Sequence, residues 1–176
     1  MLHPTHVAPL LLVLAMTSLP RLAAANAEGV GLGIAVGADY STADVRQASN
    51  ELERTRSASP AWGFFVDIPL LETFYISPAA MLYELELTEG TKTAITDIDL
   101  NFKFIVPLHR LRLGAGITAG LTTGLGDYIR HWGLLGYGSF NLVSNIDVFA
   151  LVQYKELRHD RDITNLHGYL GGMFHF

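Results

Sequence analysis

Seven charged side chains in this chain could meet on a shared surface: Glu84, Glu86, Asp97, Asp99, Lys103, Arg112 and Lys155. The carboxylates come in pairs two residues apart, the spacing that puts both members on one face of a strand. Close carboxylates repel, so one takes up a proton, a cation bridges them, or lysine and arginine neutralise them. If the chain makes a tight return after Glu86, Glu84 lies near Asp97 and Leu82 near Asp99. The sequence favours neutralisation by Lys103, Arg112 and Lys155, in a network that fills and rigidifies an interior. A narrow ion path gated by rearrangement of Glu84, Asp99, Lys103 and Arg112 is the alternative.

No other constellation has workable spacing. His131 and Ser139 share a strand face, but eight residues separate them. That is about 26 Å, far beyond hydrogen-bond reach. His167 and His175 fail as a metal pair for the same reason. The segment GVGLGIAVG contains Gly-x-Gly, yet without a following helix it cradles no phosphate. Cysteine is absent, which removes disulfides and thiolate metal sites. The expectation is no catalytic residue, no cofactor and no metal.

The elements that must position these residues are short alternating strands. The first, 29–40, puts Leu32, Ile34, Val36, Ala38 and Tyr40 on one face and Gly31, Gly33, Ala35, Gly37 and Asp39 on the other. Large residues out and tiny ones in suit a narrow barrel. A second strand sets Trp62, Phe64, Val66 and Ile68 against Gly63, Phe65 and Asp67. For the third, the sequence predicts Tyr75, Ala79, Met81, Tyr83 and Leu85 outward, Glu84 and Glu86 inward, and a bulge at Pro78, which cannot donate to a ladder. The fourth alternates Ile98, Leu100, Phe102 and Phe104 with Asp97, Asp99, Asn101 and Lys103. The fifth repeats the glycine-lined pattern around Arg112 and Thr118. The sixth, seventh and eighth follow, with His131, Tyr137 and Ser139, then Phe149, Gln153 and Lys155, then His167, Tyr169 and His175 on their inner faces. Long polar loops are expected at 41–60, 88–93, 122–130 and 156–165, and short turns at the opposite ends.

Residues 1–27 have the parts of a secretory signal peptide: a polar start, the apolar run VAPLLLVLAM and a small-residue exit ending Ala25-Asn26-Ala27. Residues 28–176 are one domain by length. The net charge of −5 argues against nucleic acid, which calls for a basic face. Mean hydropathy is +0.27, yet no segment after the signal offers an uninterrupted apolar run of helical membrane-spanning length. A membrane barrel resolves the conflict, because only every second residue of each strand must face lipid.

Aromatic residues complete the pattern. Tyr40, Trp62, Tyr83, Trp132 and Tyr154 fall near the loop ends of their strands, and Phe104, Phe140, Phe174 and Phe176 near the turn ends, as two girdles. With its terminal GYLGGMFHF, the chain resembles the small eight-stranded outer-membrane barrels, the OmpA-type transmembrane domain and its single-domain relatives. The resemblance implies an all-β, eight-stranded antiparallel up-and-down transmembrane β-barrel in the outer membrane of a Gram-negative bacterium. It also implies Phe174 and Phe176 as the signal read by the barrel-assembly machinery, and outer-membrane lipids and lipopolysaccharide as partners of a monomer. Barrel deacylases of lipid A are similar in size but carry a His-x-Ser pair. Here Leu111, Gly133, Arg161 and Tyr169 follow His109, His131, His159 and His167 at that spacing. The expected function is therefore non-enzymatic, a structural or surface-interaction role. The alternatives are a narrow gated channel and an exported barrel that holds a small apolar ligand with its faces inverted.

Overall fold

The computed structural model describes residues 29–46, 52–88, 90–158 and 162–176. The expected signal peptide, 1–27, lies outside them, as do His159 and Arg161. Eight strands follow in chain order: β1 (Gly31–Arg46), β2 (Leu52–Leu71), β3 (Phe74–Thr88), β4 (Thr91–Leu108), β5 (Leu111–Leu125), β6 (Asp127–Val143), β7 (Ile146–Arg158) and β8 (Asp162–His175). Each pairs antiparallel with its sequence neighbours, and β8 pairs with β1 to close the barrel.

Closure fixes the tilt. A row of paired residues starting at Gly33 passes through Phe65, Ala79, Asp99, Gly120, His131, Leu157 and Ile163, and re-enters β1 at Ala43. The ladder climbs along β1 in one circuit, so the strands must lean against the barrel axis. Every residue of that row faces the interior.

The outer wall is apolar. Ile34, Ile117 and Leu170 are 65 %, 55 % and 60 % exposed, and the outward positions from Phe74 to Leu82 and from Ile98 to Val106 carry no charge. A cationic side chain there would cost about 2–4 kcal/mol at the bilayer midplane. The belt is therefore a lipid-facing surface, and the large apolar faces point out. The inverted arrangement expected of a ligand-holding soluble barrel is not the one adopted.

Turns of two residues, Glu72–Thr73, His109–Arg110 and Ser144–Asn145, join strands at one end; His109 takes a left-handed conformation, φ 61°. At the other end the strands run on. The expected loop 41–60 is largely ladder, paired from Ser41↔Ser57 to Arg46↔Leu52, and the expected loop 122–130 is reduced to a bend at Gly126. Strands of 13 to 20 residues exceed the roughly 9–11 that a bilayer requires. Their overhang stands in water, where both faces can be polar and a strand needs no apolar alternation.

β3 corrects the sequence reading. Tyr75, Ala79, Met81, Tyr83 and Leu85 are buried inside the barrel, Glu84 is exposed outside, and Glu86 lies on that same outer face. Met81, not Glu84, pairs with Asp97, and Ala79 pairs with Asp99. The expected register was off by three residues, an odd slip that exchanges faces along the whole strand. Pro78 pairs in register with Leu100, so the expected bulge is absent there; the β2–β3 ladder shifts instead between Pro69 and Leu71.

Candidate functional site

The interior is stacked in layers, set by which odd or even positions each strand turns inward. At the loop end lies an apolar cap of Ala43, Leu85, Ile95, Ile129, Leu157 and Ile163, all fully or nearly fully buried. Below it sits a polar layer. A central plug follows, where Phe65 meets Phe149 edge to face at 5.4 Å and Tyr137 stacks on Phe149 at 6.0 Å. A second polar layer ends at the short turns.

In the loop-end polar layer, β4 projects Asp97 and Asp99, β5 Thr122, β6 His131 and β7 Lys155. Lys155 Nζ donates to Asp97 Oδ2 at 2.8 Å and lies 2.7 Å from Asp99 Oδ2. Thr122 Oγ1 donates to Asp97 Oδ1 at 2.7 Å, and His131 bridges Thr122 and Asp99 at 2.8 and 2.6 Å. On the β1 and β8 side, His167 Nδ1 lies 3.2 Å from Asp39 Oδ1, while Ser41 donates to Asp39 Oδ2. From β3, Tyr83 accepts from Asn165 Nδ2 at 2.7 Å and its ring meets His167 edge to face.

Gly120 makes room for this layer. It stands between Asp99 and His131 in the ladder, and a Cβ there would lie 2.8 Å from His131 Nε2 and 2.9 Å from Asp99 Oδ1. Any larger residue would wedge that bond apart.

The turn-end layer has two parts. Lys103 Nζ donates to both oxygens of Asp67 at 2.6 Å, under the Tyr137 ring at 4.4 Å, and Ser77 donates to Asp67 at 2.6 Å. Nearer the mouth, Asp147 is contacted by Arg112 at 3.6 Å, His175 at 3.3 Å and Asn141 at 2.7 Å. Arg112 is 17 % exposed and His175 12 %, so this part meets solvent. Gln153 donates to Asn101 Oδ1 at 2.9 Å, and Asn101 donates in turn to the Ser77 carbonyl at 3.0 Å.

Of the residues that the sequence singled out, the lumen gathers Asp97, Asp99 and Lys155 into one layer and Lys103 and Arg112 into the other. Glu84 and Glu86 belong to neither. Glu84 meets Lys92 at 3.6 Å on the exposed rim, and Glu86 accepts from the Gly90 backbone at 2.7 Å. The expected pairing of Glu84 with Asp97 is thus replaced by Lys155 with both aspartates. Sequence reasoning left out Asp39, Asp67, His131, Asp147 and His167 as network members. Asp39, Asp67, His131 and His167 were already legible as inward positions; Asp147 was hidden in what reads as a turn.

Among the described residues, Asp97, Asp99 and His131 each bring one possible ligand atom within 4.8 Å of the others. The cationic position between the two carboxylates is already taken by the Lys155 ammonium. On the outer rim, Arg54 donates to Asp44 from Nε and Nη2 at 2.8 and 3.1 Å; the contact holds the Asp44 carboxyl below its usual range and raises the guanidinium. Phe174 and Phe176 both face lipid and pack edge to face at 5.0 Å.

A closed antiparallel ladder with an apolar outer belt and a packed polar lumen defines an outer-membrane-type β-barrel. Solved structures share this architecture at low sequence identity. Neisserial surface protein A superposes with a TM-score of 0.62 at 13 % identity, over 85 % of this chain and 100 % of its own. Outer membrane protein OprG of Pseudomonas aeruginosa gives 0.53 at 11 %, over 85 % and 97 %. Outer membrane protein AlkL gives 0.50 at 10 %, over 85 % and 90 %. These likenesses carry the fold, and no protein-family model or curated sequence matches the chain.

Proposed function

We propose that the protein is a sealed, non-conducting and non-enzymatic barrel of the outer membrane, whose role is structural and exerted at the cell surface through its overhanging strands. One observation carries this reading. From loop end to plug, the lumen runs through buried apolar side chains, a tightly packed charge cluster and packed aromatic rings, with Leu85, Ile95, Phe149 and Lys155 each at most 1 % exposed. An ion path would need those contacts broken at several levels at once. Removing one member of a buried pair alone costs about 3–5 kcal/mol.

Outside, Arg56 and Arg130 are exposed near the loop end beside the Arg54–Asp44 and Lys92–Glu84 pairs, and in this reading they offer positive charge to the anionic head groups of lipopolysaccharide. Phe174 and Phe176 present a paired aromatic edge on the closing strand, fit for reading by an assembly factor. The chain acts as a monomer in this reading, because its one seam is already paired.

The test is electrical. The purified protein, reconstituted in planar bilayers, gives no single-channel steps, and the same preparation shows a heat-dependent mobility shift on gels. Discrete currents that change on replacing Lys103 or Arg112 would overturn the sealed reading in favour of the channel.

A further inference from the structure

Five side chains close a ring of four hydrogen bonds and one ion pair in the loop-end layer. It runs from Lys155 to Asp97 (2.8 Å), Thr122 (2.7 Å), His131 (2.8 Å), Asp99 (2.6 Å) and back to Lys155 (2.7 Å). At these separations each contact must contain a hydrogen, because two lone pairs facing one another repel. The Lys155 ammonium supplies the hydrogens of its own two contacts.

Three contacts remain: Asp97 with Thr122, Thr122 with His131, and His131 with Asp99. A threonine hydroxyl and a neutral imidazole bring only one hydrogen each. If Thr122 donates to Asp97, its oxygen faces a bare Nδ1. If it donates to His131, its oxygen faces a bare carboxylate. One hydrogen is missing either way.

The charge of these five groups points the same way. Two carboxylates and one ammonium leave the ring one negative charge from neutrality, in a layer where Asp97, Thr122 and Lys155 are 0 % exposed. Uncompensated charge is costly there.

We propose that the ring is a binding site for one further proton, carried by His131. Its Nε2 donates to Asp99 and its Nδ1 to Thr122, which leaves the Thr122 hydroxyl to donate to Asp97. All five contacts are then satisfied and the ring is neutral. The other titratable groups that face it are Tyr83 from β3, Asp39 from β1, and His167 and Tyr169 from β8; β2 contributes only Ser57 and Ser59 at this height, its Asp67 being held by Lys103.

Nitrogen-15 NMR of histidine-labelled protein in lipid, with the rings assigned through bonds, tests the proposal at pH 7. His131 is expected to show protons on both ring nitrogens. Asp99→Asn supplies the missing hydrogen itself, since its amide can donate to Nε2 while its carbonyl accepts from Lys155. In that variant His131 loses the Nε2 proton and keeps the one on Nδ1. A wild-type His131 with a single ring N–H, or an Asp99→Asn protein that retains both, overturns the proposal. The heat-dependent gel shift confirms that the variant is folded, and the wild-type spectrum decides on its own if it is not.

Discussion

The two polar layers of the lumen solve the same problem under different conditions. Near the short turns, Asp147 faces Arg112 and His175 at 3.3–3.6 Å, beside a partly wet mouth. Near the loops, Asp97 and Asp99 are bonded at 2.6–2.8 Å beneath an apolar cap. Solvent reaches Arg112 and His175 in the first group and screens their pairs with Asp147, which lowers what each pair is worth. The second group has no water to fall back on, and each contact must be made by another side chain. Between Asp147 and the Asp97–Asp99 pair, the ion-pair distances thus shorten away from the mouth.

Variants can break that comparison. Lys155→Met leaves two buried carboxylates without their ammonium and is expected to lose about 3–5 kcal/mol, read as a lower urea midpoint of the tryptophan fluorescence transition in micelles. Combining it with Asp99→Asn removes one of the stranded charges and should recover part of that loss. Gly120→Ala keeps every charge but drives a methyl between His131 and Asp99; a drop of about 1–3 kcal/mol is expected, the range for an overfilled core. The same unfolding series reads it.

Arg112→Gln, at the wet mouth, should cost less than about 1 kcal/mol. A loss as large as that of Lys155→Met would show that the two layers do not differ as their exposure indicates. Smallest of all is the rim pair. Asp44 has its ionisation favoured by Arg54, so any contribution is present at neutral pH and lost on acidification through the lowered Asp44 value. Both side chains stand in solvent, and Asp44→Asn is expected to leave the urea midpoint at pH 7 unchanged.

Much of this arrangement is written in alternation. β4 shows Ile98, Leu100, Phe102 and Phe104 against Asp97, Asp99, Asn101 and Lys103, so its faces declare themselves. β3 offers no such contrast: Tyr75, Met81, Tyr83 and Leu85 compete with Phe74, Ile76, Ala80 and Leu82, and both faces are apolar. Glu84 and Glu86 then decide the reading, and they mislead, because near the loop end an outward charge meets water rather than lipid. The overhanging strands were illegible for a related reason. Above the bilayer, polarity no longer distinguishes ladder from loop, and Ser41, Ser57 and Ser59 face inward from stretches that read as loop. The charge ring depends on cross-strand register, which single-strand periodicity does not contain.

The ring draws its members from β4, β5, β6 and β7, four strands in unbroken succession. Once curled around the lumen, these hairpin-joined strands bring Asp97, Asp99, Thr122, His131 and Lys155 together without a residue from β1 or β8. Asp39 of β1 meets His167 of β8 only across the closing seam. A sheet already curled at β4–β7 therefore carries these charges in contact before the β1–β8 seam pairs, which leaves closure of the cylinder as the electrically lighter step of insertion.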